Sequence, residues 1–113
     1  MKYMFLICVD GSIKLTDEQR ANAPADGIAW ATEMDNRGIR IEGNALQATS
    51  DATTVRVRSG EVLLADGPFA ETKEFVAGFD LMDCADLDEA IEAAAKHPCA
   101  AFGAVEIRPL WQP

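Results

Sequence analysis

Tyr3, Phe5, Ile7 and Val9 alternate with Met4, Leu6 and Cys8, so a strand formed here is apolar on both faces. It is predicted to lie centrally in a sheet, with cover on both sides. A polar stretch runs from Asp10 to Asn22. Pro24 then suits a first helical position, Trp30, Ala31 and Met34 fall together on one helical face, and Gly38 supplies a stop. This predicts a helix from about Pro24 to Gly38. Residues 39–46 read as a second strand, and the β-branched alternation of Thr53-Thr54-Val55-Arg56-Val57-Arg58 predicts a third. Ser59-Gly60 turns the chain back into Glu61-Val62-Leu63-Leu64-Ala65, giving a hairpin.

Residues 75–84 are again apolar on both faces, with Asp80 the exception. The next helix is predicted over 86–97. Asp86 stands as N-cap with Glu89 three residues on, Leu87, Ala90, Ile91, Ala94 and Ala95 form one stripe, and Pro98 ends it. Residues 104–108 make a last strand. The order is that of an α+β ferredoxin-like sandwich with an inserted hairpin. Two helices cover only one sheet face, so the doubly apolar strands call for a second layer. A second copy of the chain, in a homodimer, is the simplest cover.

At 113 residues the chain is expected to form one domain, spanning 1–113. Ten basic against nineteen acidic residues give a net charge of -9, which opposes nucleic acid and anionic membranes as partners. The apolar stretch at 1–10 is too short to span a bilayer and lacks a signal-type cleavage site. Three cysteines without a C-x-x-C pair, and a single histidine, suggest neither a disulfide framework nor a zinc site. Reduced thiols in cytoplasm are expected, with no metal and no cofactor, since no phosphate-cradling or nucleotide fingerprint is present.

The most informative segment is Asp66-Gly67-Pro68-Phe69-Ala70-Glu71-Thr72-Lys73-Glu74. It resembles the defining motif of the DGPF proteins, a branch of the YCII-related family. Met1-Lys2-Tyr3-Met4, Thr53-Thr54-Val55-Arg56, Asp86-Leu87-Asp88-Glu89-Ala90 and Val105-Glu106-Ile107-Arg108-Pro109 extend the resemblance. It implies a dimeric α-β barrel and no known reaction. Some members resemble accessory proteins of extracytoplasmic-function sigma factors. The wider group is associated with a proposed histidine and aspartate pair. The one histidine here, His97, is expected instead to cap a helix C-terminus as a partly charged imidazole.

The chemistry around the motif nominates Asp66, Glu71 and Lys73 as catalytic candidates. Tyr3, Glu74, Asp80, Glu106 and Arg108 are candidate ligand-binding residues. A carboxylate in an apolar cavity gains basicity, and a lysine or arginine holds an anionic group or an enolate-like intermediate. The same residues also serve the turn and its ion pairs. Asp80 reads either as a pocket acid or as a polar residue near an interface edge. Two functions follow. One is small-molecule binding, or cofactor-independent lyase- or isomerase-like chemistry in a carboxylate/lysine pocket. The other is a regulatory or interaction module, with a protein partner such as a sigma factor.

Overall fold

The computed structural model describes residues 1–70 and 72–113. Strands β1 (Lys2–Asp10), β2 (Arg40–Ala45), β5 (Glu74–Asp83) and β6 (Gly103–Pro109) form one sheet in the order β2-β5-β1-β6. Every neighbouring pair in it is antiparallel. Helices α1 (Asp17–Asn36) and α2 (Leu87–Ala95) each link two strands that are not adjacent in the sheet. The fold is therefore α+β, and this order is consistent with a ferredoxin-like arrangement. Among the described residues no helix is long and apolar enough to cross a membrane.

Alternation in β1 sorts its side chains as the sequence predicts. Tyr3, Phe5 and Ile7 are buried and meet Trp30 and Met34 of α1 and Ala90, Ala93 and Ala94 of α2. The alanines let α2 pack close to the sheet. The Trp30 indole N–H donates to the Ala93 carbonyl at 2.9 Å and ties the two helices together. On the opposite face of β1, Met4, Leu6 and Cys8 are only half-buried.

Helix α1 begins at Asp17, seven residues before the expected Pro24, which lies inside it. The polar stretch conceals a capping box. Thr16 Oγ1 accepts from the Gln19 N–H at 3.1 Å, and Gln19 Oε1 accepts from the Thr16 N–H at 2.8 Å. Most of this first half is exposed, so apolar periodicity does not announce it.

Among the described residues, strands β3 (Thr53–Arg58) and β4 (Glu61–Asp66) pair only with each other. Ser59 and Gly60 both take positive φ in the connecting turn, at 51° and 78°. Val55 and Leu64 face each other across the ladder and stay 59% and 69% exposed. This arm makes the molecule broad and thin, 47 × 45 × 18 Å. Its radius of gyration is 16.0 Å, where a compact chain of this length has about 13 Å.

Candidate functional site

The space between α1 and the sheet narrows at one end and opens at the other. At the C-terminal end of α1, Trp30 and Met34 fill it. Toward the N-terminal end the inward helix positions are Ala23, Gly27 and Ala31, four residues apart and so on one face. Below them lie Gly43 and Ala45 of β2 and Gly78 of β5. Side chains this small cannot span two layers about 10 Å apart. A cavity of about 540 Å³ remains, within the range that holds small molecules.

Asp80 lines this cavity and is only 7% exposed, the one buried charged residue among those described. Gly43 makes room for its carboxylate, because a Cβ at Gly43 would collide with Asp80 Oδ1. Arg40 holds that oxygen, with Nε to Oδ1 at 2.9 Å. The same guanidinium reaches Asp35 through Nη1 at 3.2 Å and the Gly43 carbonyl through Nη2 at 3.1 Å. A β-bulge sets this up. The register of β2 against β5 slips between Arg40 and Glu42. Residues 40 and 43 would face opposite ways in a regular strand, and the bulge brings both to the helix side.

Burial pushes the Asp80 carboxyl above its ordinary pKa, the hydrogen bond and charge of Arg40 pull it down, and Asp35 adds to the upward push. Burial also opposes the Arg40 charge, yet its bonds to Asp80 and Asp35 win and its pKa rises. Among the described residues, no hydrogen bond occupies Asp80 Oδ2, and no buried side-chain oxygen is left without a partner or solvent. That oxygen therefore keeps some contact with solvent, and the cavity is the space that Asp80 lines. The site holds a carboxylate that is more basic than usual, fixed by one oxygen and free at the other.

His97 lines the same cavity. Its Nδ1 accepts from the Cys99 N–H at 3.0 Å, capping the start of a 3-10 turn at Pro98–Ala101. Trp30 stands edge-on to the imidazole, with ring centroids 4.7 Å apart. This corrects the expected partly charged cap of a helix C-terminus. Burial lowers the His97 pKa, and an accepting Nδ1 places the proton of the neutral ring on Nε2. Asp80 and His97 thus border one space, brought together by tertiary packing rather than by sequence spacing.

Residues 1–112 match the YCII-related domain. The chain belongs to the YCII-related family. A relative from Rhizobium meliloti (strain 1021), Uncharacterized protein R00369, is 40% identical over 99 residues, covering 73% of this chain and 80% of that protein.

In this YCII-related chain the other candidate residues among those described lie apart from the helix–sheet cavity. Asp66 ends β4 and borders a smaller groove with Pro68, Ala70 and Thr72. Lys73 and Glu74 are exposed at the start of β5, and Glu74 lines a groove of about 520 Å³ at the root of the hairpin. Glu71 falls outside the described residues. Gly67, at φ 97°, is held by its N–H to the Ala52 carbonyl at 2.6 Å and by its carbonyl to Thr54 Oγ1 at 2.8 Å. Tyr3 is buried in the core, with its hydroxyl 3.6 Å from the Met1 sulfur. Glu106 and Arg108 form an exposed pair at 3.4 Å on the sheet face away from the helices. Arg40 escaped the sequence reading, because only the bulge turns it inward.

Proposed function

We propose that this YCII-related protein binds a small organic molecule in the cavity between α1 and the sheet. Asp80 acts there as the proton acceptor of a cofactor-independent, lyase- or isomerase-like proton transfer. The observation that carries the reading is a buried carboxylate in the cavity wall, with one oxygen clamped by Arg40 and, among the described residues, no hydrogen bond on the other. A structural role alone would be met more cheaply by an apolar side chain, since a buried ion pair contributes little net stability. The His97 Nε2–H supplies a neutral donor for a developing oxyanion. Asp66 and Lys73 are assigned to the hairpin root rather than to this chemistry. The bonds that anchor Gly67 support that assignment. The motif they belong to supports reading the chain as one of the DGPF branch.

The test is a ligand screen by thermal shift on wild type and Asp80→Asn. A compound that binds here raises the melting temperature of wild type and leaves Asp80→Asn unmoved. Its affinity rises with pH as Asp80 deprotonates, and with a reacting ligand wild type exchanges solvent deuterium into it. Equal shifts in both proteins would place the binding elsewhere and sink the reading.

We further infer that the single domain is a homodimer closing as a dimeric α-β barrel, with the β3–β4 hairpin as an arm inserted in a ferredoxin-like sandwich. The exposed apolar residues of that arm, the half-buried face of Met4 and Leu6, and the large radius of gyration support this. Light scattering is expected to give twice the chain mass. Mass of a single chain would point instead to a protein partner, such as a sigma factor, covering these surfaces.

A further inference from the structure

A second cavity, of about 280 Å³, lies against the N-terminal half of α1 and is bordered by Val9, Leu15 and Phe102. Ala23, Gly27, His97 and Cys99 line both this cavity and the one containing Asp80. Resting on the small-molecule reading above, we infer that the two cavities form one passage beneath α1, held open at Gly27, that takes an elongated apolar amine.

Gly27 carries the first half of the argument. A glycine inside a helix weakens it relative to any ordinary residue, so its presence calls for a reason. Close packing is not that reason, because nothing lies within 4 Å of where its Cβ would be. The missing side chain opens space rather than relieving a clash. A larger residue here would project into the passage at the position where the two cavities share their walls.

Charge carries the second half. The outer mouth is bordered by Glu18 and Asp26, with no lysine or arginine among the described residues. At the inner end the one cation among the described residues is Arg40, already committed to Asp80, Asp35 and the Gly43 carbonyl. The open acceptor is Asp80 Oδ2. An anion therefore meets repulsion at both ends, while an amine finds acceptors at both. Between them Ile7, Trp30, Ala31, Leu15 and Phe102 give apolar wall, and the polar residues there, Gln19, Asn22, Asn44 and His97, are uncharged.

Two probes of nearly the same shape test this. N-phenyl-1-naphthylamine is a neutral amine, and 8-anilino-1-naphthalenesulfonate is the same skeleton with a sulfonate. Fluorescence titration is expected to show the amine binding at least 10-fold more tightly. Octylamine should displace it where octanoate does not. Gly27→Leu is expected to weaken the amine at least 10-fold while melting no lower than wild type, since leucine is the better helix former. Gly27→Ala, melting higher, serves as the folding control.

If Gly27→Leu binds as wild type does while Asp80→Asn loses the probe, the passage is wrong and the single cavity stands. Equal affinity for the sulfonate overturns the amine assignment. A probe that ignores both variants, or no binding by wild type, removes the cavity reading together with the passage.

Discussion

Arg40→Met is expected to destabilise the protein by about 3 kcal/mol near neutral pH, the scale for stripping the partner from a buried charge. Methionine keeps the stem of the side chain in place, so the loss reports on charge and hydrogen bonding more than on packing. Asp80 would then lie buried with no cation against it, and the Gly43 carbonyl would lose its donor. The loss should depend on pH, with a sign fixed by the direction of the Asp80 shift. Its pKa in the folded protein lies above the ordinary 3.8, and removing Arg40 drives it higher. Between the unfolded and folded values the folded state holds a proton that the unfolded state has released, so stability falls as pH rises through that window. Below it the carboxyl is neutral in both states and the penalty fades. Chemical denaturation of Arg40→Met from pH 4.5 to 8 should show the deficit growing with pH. The double variant Arg40→Met/Asp80→Asn should recover most of it. A deficit independent of pH, undiminished in the double variant, would mean that Arg40 acts through packing and its bond to Gly43 alone.

That pair also marks where sequence reasoning reaches and where it stops. Asp80 stands out in the sequence because a charge in a doubly apolar strand must be either satisfied or functional. Its partner does not stand out. Arg40 looks like the solvated start of a strand, and its inward direction depends on a β-bulge that no side-chain pattern encodes. The central strands were legible because apolar residues occupy both faces, continuously at Tyr3–Val9 and, with Asp80 as the one charge, at Phe75–Leu81. Helix α2 was legible from its cap and stripe, and Asp86 does accept from the Glu89 N–H at 2.9 Å. The first half of α1 was not, because its inward residues are alanine and glycine. They face a cavity rather than a core, so the apolar periodicity that normally reveals a helix is missing where the cavity lies. The Thr16–Gln19 box was the available signal. The same gap between layers that hid the helix is the candidate site. His97 was misjudged for a related reason: its neighbours in sequence suggest a helix end, whereas Trp30 and Cys99 set its burial and its proton.

Gly43→Ala should be as damaging as a buried truncation despite adding a single methyl group. The new Cβ would overlap Asp80 Oδ1 and come within 2.7 Å of Asp80 Cγ and 2.6 Å of the Phe79 carbonyl oxygen. The carbonyl belongs to the backbone of β5, which pairs with β1 on its far side, so the strand cannot yield without disturbing the sheet centre. The carboxylate cannot swing away cheaply, because Arg40 fixes it from one side and Phe5 lies opposite it across the β1–β5 ladder. Overpacking of this kind costs about 2 kcal/mol or more. Edge strand β2 is the element free to move, and its displacement would carry Arg40 away from Asp80. Gly43→Ala is therefore expected to lower the melting temperature and also to acquire the pH-dependent deficit of Arg40→Met, for one geometric reason. Gly27→Ala adds the same methyl group in open space and is expected to shift stability the other way. Both substitutions leaving the melting temperature and its pH profile as in wild type would show that Asp80 is not seated over Gly43, and the site built around it would fall.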